Sequence, residues 1–498
     1  MGARRAPAWG SVVLLACALT GCEAQGGRSL DTGHRKQVGL PSAAVADGDW
    51  PTFDYDGHRS GVGPGDTGIT KADLRSLKTR VLHIAGVADS SPIQLHAVKV
   101  GGRTRDVDFI TTTYGRTIAF DPATATRLWG FAPRGIARYQ GGHQITTASP
   151  VADPGRRYVY AASPDGFIHK LSIANGHQVW SARVTFDATH EKIEGALNVT
   201  GRYVIAATGG YLGDAPVYQG HVALIDRETG HVAHVWNSLC SDRHRLIDPP
   251  SSCPASDSAI WARAGAVVEP GSRRLLVATG NGPFNGHTNW GESVLELSPD
   301  ARHLLHNWTS KNQALLDADD LDLGSTAPAL LPGTSLAVQG GKAGQLSLLD
   351  LKHLNGTSGG AGPKTGGQLQ TVPTPASAPV LTAPLAFRHN GRTYVVVADY
   401  SAIAGYVLSS RRLHQIWEHR VGGASPVIAG GLMFVYDPGG SLKVMEPVSG
   451  HILTSIPAAS GHWSSPIVVG GRVVLPVGGS AADDATSGEV LIYHLPGR

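Results

Sequence analysis

At 498 residues the chain could hold two or three average domains, but closed all-β folds of this length also form one unit. Its 64 glycines and 31 prolines rule out a long helical array, and its make-up does not suit disorder, since only 16% of residues are charged. The net charge of +3 comes without a basic stripe, which excludes the electrostatic footprint of a nucleic-acid binder.

The first elements in chain order are export signals. Arg4 and Arg5 form a positive start, and Ala8 to Ala18 make an apolar stretch too short to span a bilayer. Leu19-Thr20-Gly21-Cys22 resembles a bacterial lipobox. That resemblance implies a signal peptide over 1–21, cleavage before Cys22 and acylation of its sulfur. The expected product is an extracytoplasmic, membrane-anchored bacterial lipoprotein; the alternative is an ordinary signal peptide with a chance cysteine. Residues 22–47 are small, polar and Gly-rich, and read as a flexible tether. A single domain is expected over 48–498, with order beginning at Asp49-Trp50-Pro51.

Thr70 as an N-cap before Lys71 to Leu77 predicts a short helix. From there the chain repeats. Ser-Pro or Ala-Pro opens an apolar strand at Ser91, Ser149, Ala327, Ala383, Ser425 and Ser465, and two more openings fit near Ala196 and Ala264. Within each unit a second strand follows, as in Tyr158–Ala162 and Leu275–Thr279. A third strand then ends in Asp or its substitute, and a fourth often closes on Trp, as in Asp226, Thr229-Gly230 and Trp236. Four short strands at this period predict an all-β, eight-bladed β-propeller. The closing Trp is expected to pack on a turn of the next blade.

Cys17 leaves with the signal, so Cys240 and Cys253 remain beside Cys22. They close a loop rich in Pro, Ser and Asp, and a disulfide is expected in an oxidising compartment. A metal pair is the weaker reading, because no CxxC or HxxxH accompanies them.

Over residues 49–498 the blade signature resembles the pyrroloquinoline-quinone (PQQ) repeat superfamily. That group includes quinoprotein alcohol dehydrogenases and the propeller lipoprotein of the outer-membrane β-barrel assembly machinery. The most specific stretches are Ala278-Thr-Gly-Asn-Gly-Pro283, Asp319 to Ser325, and Gly340-Gly-Lys-Ala-Gly344. The resemblance implies PQQ and Ca²⁺ as possible cofactors, with Asn281 and Asp322 at the metal, Asp322 as catalytic base and Lys342 beside the quinone. Asp214 stands near the position of the family's metal-binding Glu. The ring-stacking Trp falls on Arg263, with Trp261 two positions early. Each residue also has a plainer reading: Asn281 as a turn residue, Lys342 as a solvated turn lysine, and Asp317, Asp319, Asp320 and Asp322 as partners of loop N–H groups rather than of Ca²⁺.

Two departures from the family count against catalysis, the missing vicinal cysteines and the displaced stacking group. No two cysteines are adjacent, and the segment that would carry them reads His143 to Pro150. There is also no CxxCH for an attached haem. Gly356-Thr-Ser358-Gly-Gly360 fits GxSxG only formally, in a Gly-rich loop rather than a strand-to-helix elbow. The 22 histidines show no ligand spacing. The expected function is therefore a non-catalytic, monomeric binding or scaffold propeller with a protein, glycan or small-molecule partner. The alternative is a PQQ- and Ca²⁺-dependent dehydrogenase of an alcohol or sugar.

Overall fold

Alternating apolar residues and frequent turn formers give short antiparallel strands, and in the computed structural model these assemble as eight sheets placed one after another along the chain. Residues 45–211, 214–354, 364–478 and 486–497 are described. The expected signal peptide, Cys22, the expected tether up to residue 44 and the Gly356–Gly360 motif lie outside them. Blades 1 to 7 begin with innermost strands at Ile93, Val151, Asn198, Val267, Ala329, Leu385 and Val427. Each opens just after one of the expected positions. Blade 3 carries an extra two-residue strand, Lys192–Ile193, on the free edge of Tyr203–Gly209.

Blade 8 is completed from both ends of the chain. Its inner strands Ile467–Val469, Arg472–Val477 and Ser487–His494 come last in sequence, while its outermost strand is Lys78–Ala85. That strand pairs in full register with the C-terminal one, Lys78 opposite His494 and Ala85 opposite Ser487. The closure also explains a correction. The helix expected from Lys71 to Leu77 is only a 3₁₀ turn, Lys71–Asp73, followed by a turn at 74–76, because the chain must straighten by Lys78 to enter the outermost strand. The Thr70 cap is present, with its backbone N–H 2.9 Å from Asp73 Oδ2.

The apolar core lies between facing blades. Ile205, Leu224 and Trp236 of blade 3, for example, pack against Leu275, Val277 and Leu295 of blade 4. The closing tryptophans dock as the repeat predicts. Trp129 donates to Ile173 O at 2.8 Å, Trp180 to Arg227 O at 3.1 Å and Trp417 to Val448 O at 3.0 Å. In each case the indole lies on a glycine in the left-handed region: Gly176, Gly230 and Gly450. A Cβ at Gly176 would sit 2.6 Å from the Trp129 ring, so the Asn/Thr-Gly turn and the Trp form one joint across two blades. Cys240 and Cys253 are joined as a disulfide, with an S–S distance of 2.06 Å. In the chain-entropy picture a loop of this size adds about 3 kcal/mol.

The segment 49–69 runs over the innermost strands and the residues just ahead of them. It bonds to six blades: Trp50 with Gln94, Pro51 with Ala152, Thr52 with Leu197, Gly57 with Val268, Gly63 with Ile428 and Thr67 with Gly471. Arg59 stands at its centre, fully buried. It donates to Ala264 O, Ala196 O, Leu197 O, Phe53 O and Thr52 Oγ1 at 2.7 to 3.2 Å. Burial lowers its pKa to about 10, a shift that the nearby Asp54 opposes, so it stays charged at neutral pH.

Candidate functional site

In an antiparallel blade the innermost strand begins at the end where the second strand finishes. Residues just before the first strand and just after the second therefore gather on one face of the ring. Asn281 follows Leu275–Ala278 and Lys342 follows Leu336–Gln339, while Asp322 precedes Ala329–Leu330. Sequence positions far apart are thus brought to one mouth of the channel.

These three residues meet directly. Lys342 Nζ lies 2.5 Å from Asp322 Oδ2 and 2.6 Å from Asp320 Oδ1. The Asn281 backbone N–H donates to Asp322 Oδ1 at 2.8 Å, and its side-chain amide donates to Asp320 Oδ1 at 2.9 Å. Two glycines permit the approach. Gly280 packs directly on Asp322 Oδ1, where a Cβ would collide, and a Cβ on Gly324 would lie 2.5 Å from Gly280 N. Asn281 Oδ1 is buried without a hydrogen-bond partner.

The charges are strongly coupled. Burial pushes the Asp322 carboxyl up, against the pull of Lys342 and the Asn281 N–H. Lys342 is held above its ordinary value because Asp322 and Asp320 outweigh its own desolvation. Trp261 presents its ring 5.5 Å from Lys342 Nζ, on the same mouth. Asp214 accepts the Tyr218 hydroxyl at 2.9 Å; burial raises its pKa, and the charge of Lys342 opposes that. Asp317 lies in the short helix Gln313–Ala318, and Asp319 follows it. Among the described residues no three His, Cys, Asp or Glu side chains form a group that could hold a metal ion.

Arg263, two residues beyond Trp261, serves a different cluster. Its guanidinium grips the carboxylate and the carbonyl of Asp89, and His462 Nδ1 reaches the same carboxylate at 2.8 Å. Burial raises the Asp89 pKa, but Arg263 and then His462 outweigh it and hold the group well below the usual carboxylate range. Arg263 also lies 5.3 Å over the Trp463 ring, which stacks on His462 at 3.9 Å and neighbours Tyr400 at 6.1 Å. Tyr400 is 59% exposed.

Sequence reasoning missed Asp89, Glu194, His462 and Trp463, as well as the buried Glu292. Four of the five carry a usable signal. Asp89, Glu194, His462 and Trp463 all stand two or three residues ahead of a blade opening, the position that faces the channel mouth. Glu292 has no such mark. It accepts the Leu323 N–H at 2.7 Å, and burial raises its pKa to about 9.

A family model described as outer membrane protein assembly factor BamB, of the PQQ repeat type, matches residues 95–252. No curated protein sequence matches the chain. Among solved structures, a quinohemoprotein alcohol dehydrogenase from Pseudomonas putida HK5 is similar in fold, with a TM-score of 0.68 at 15% identity over 91% of this chain and 81% of that one. A europium-containing methanol dehydrogenase gives 0.65 at 14% identity, covering 91% and 99%. BamB from Moraxella catarrhalis gives 0.52 at 11% identity, covering 84% and 99%. At these identities the likeness is one of fold.

Proposed function

We propose that this PQQ-repeat propeller works outside the cytoplasm, held to a membrane through Cys22, as a binding and scaffold module rather than as a redox enzyme. One observation carries the reading: the polar groups a quinoprotein would use are already bonded to one another. A general base needs an oxygen open to its substrate. Both oxygens of Asp322 are taken, one by the Asn281 N–H and the other by Lys342. Arg263 is committed to Asp89 rather than standing clear to stack on a ring.

The donor set fits calcium poorly. Ca²⁺ takes about six to eight oxygens, whereas Asn281 Oδ1 is the partnerless buried oxygen nearest this cluster and Lys342 Nζ already supplies a positive charge there. The mouth offers instead the Lys342 ammonium beside the ring of Trp261, and a second aromatic group of Trp463 and the exposed Tyr400 beside Arg263. That surface suits an aromatic or anionic group on a partner. The dehydrogenase reading keeps one observation in its favour, the orphaned Asn281 oxygen beside Asp322 and Lys342. Fold likeness does not choose between the two, because this ring is shared by neighbours named as dehydrogenases and by one named as an assembly factor.

Two experiments test the halves of this reading. Cys22→Ser is expected to leave an exported protein that no longer partitions into detergent or membranes; retention at the membrane would refute the anchor. Isothermal titration of PQQ is expected to show no calcium-dependent binding. A calcium-dependent Kd of about 1 µM or tighter, worth about 8 kcal/mol, would favour the dehydrogenase.

A further inference from the structure

The two ends of the ring differ in charge. Carboxylates gather at the channel mouth, where Asp89, Asp214, Asp320 and Asp322 stand among paired cations. The opposite end carries the turns between first and second strands and between third and fourth strands. Exposed cations stand in or beside these turns in six blades: Lys78 of blade 8, Arg103 of blade 1, Arg157 of blade 2, Arg302 of blade 4, Lys352 of blade 5 and Arg392 of blade 6. None of them is ion-paired among the described residues. No run of the sequence marks this face, because its charges come from turns far apart along the chain.

The repeat explains the excess. The Asp that closes a third strand is held inward by its own turn. Asp121 accepts the Ala123 N–H at 2.9 Å, Asp226 those of Glu228 and Thr229, both at 3.0 Å, and Asp350 that of Lys352 at 3.2 Å. All three carboxylates are buried, and an arginine neutralises Asp350 further, Arg411 standing 2.8 Å away. The outward turn positions have no such task, and many of them are Arg or Lys. Among the described residues the exposed carboxylates of this face are Asp47, Asp66 and Glu228.

The segment that leads into the ring arrives on the same face. Trp50 bridges antiparallel to Gln94, and Gly48 lies against His96. Followed backward, the chain therefore runs toward the end of Ile93–Val100 that turns into Arg103. We infer that this basic face docks on the phosphate headgroups of an anionic bilayer, which turns the channel mouth outward to a partner. Positive charge spread over a whole end of the molecule matches an extended anionic surface better than a point ligand. Docking rests on the proposed function only for the anchor at Cys22. Salt screens the attraction, with a Debye length of about 8 Å at 0.15 M, so the face orients an anchored ring rather than replacing its anchor. Cys22→Ser is still expected to wash off membranes at that ionic strength.

The test uses the exported Cys22→Ser chain, so acylation plays no part in it. At about 0.01 M salt, where the Debye length is about 30 Å, it is expected to co-sediment with phosphatidylglycerol vesicles and not with phosphatidylcholine vesicles. About 0.5 M salt should release it. Arg103→Glu, Arg157→Glu and Arg392→Glu together should weaken binding by about tenfold or more. Arg134→Glu with Arg138→Glu, at the mouth end, should change it by less than about twofold. All five residues are exposed, so the fold should survive, with an unchanged melting temperature as the check. Docking on anionic lipid is overturned by equal binding to phosphatidylcholine, by no binding at low salt, or by mouth-end reversals that act as strongly. A short DNA duplex that binds as tightly as the anionic vesicles would overturn it too. A failed anchor would appear instead as wild-type protein that behaves like Cys22→Ser in every arm.

Discussion

Replacing Arg59 with methionine is expected to lower the stability of the propeller by about 4 kcal/mol or more, the largest effect of any single side chain outside the blades. The side chain is fully buried and its five donors meet four carbonyls and a hydroxyl. Methionine fills a similar volume but leaves the carbonyls of Phe53, Ala196, Leu197 and Ala264 without that donor, at about 1–3 kcal/mol for each that water cannot reach. The loss should appear as a lower urea midpoint and as earlier proteolysis within 49–69. Arg59→Lys keeps the charge but not the planar fork, and should recover only part of the difference. A midpoint for Arg59→Met within about 1 kcal/mol of wild type would mean that the segment does not fasten the ring.

Glu292 should impose a pH dependence opposite to that of most carboxylates. Its pKa is raised to about 9, first by burial and then by the charges of Asp322 and Asp317, while the Leu323 N–H and Lys342 pull the other way. In the unfolded chain it ionises at its ordinary value of 4.5. Its contribution is therefore fully present below that pH, declines as pH rises, and is gone above about pH 9. The slope for one proton is about 1.4 kcal/mol per pH unit, so about 3 kcal/mol is lost by neutral pH. Glu292→Gln stays neutral and can still accept the Leu323 N–H. It should be more stable than wild type at pH 8 and nearly equal at pH 5, measured as urea midpoints across that range. Parallel profiles for the two proteins would contradict the assignment.

The ring was legible because its signals are local and repeated. Each Ser-Pro or Ala-Pro opening, each Asp at the end of a third strand and each Trp above a glycine reports on its own blade. Asp226 shows why: its carboxylate accepts the N–H groups of Glu228 and Thr229, both at 3.0 Å, so the turn is written in consecutive residues. The meeting of Asn281, Asp322 and Lys342 was also foreseeable, since all three stand at equivalent ends of adjacent blades. What the sequence hid is long-range. Arg263 reaches Asp89, 174 positions away, and His462 closes on the same carboxylate from blade 8. Arg59 finds three of its acceptors, Ala196, Leu197 and Ala264, just ahead of blades 3 and 4, and no spacing rule links a charge to carbonyls so far along the chain. The outermost strand of blade 8 is another case, since it is drawn from the opposite end of the chain.

The most direct measurement is dye reduction by the full exported chain, supplied with PQQ, Ca²⁺, an artificial electron acceptor and a panel of alcohols and sugars. Since Asp322 is bonded at both oxygens and Arg263 is held by Asp89, no turnover is predicted above that of the cofactor in solution, and Asp322→Asn should behave as wild type. Dye reduction that requires PQQ and disappears in Asp322→Asn, while titration shows the cofactor still bound, would contradict the binding-module account and establish a dehydrogenase.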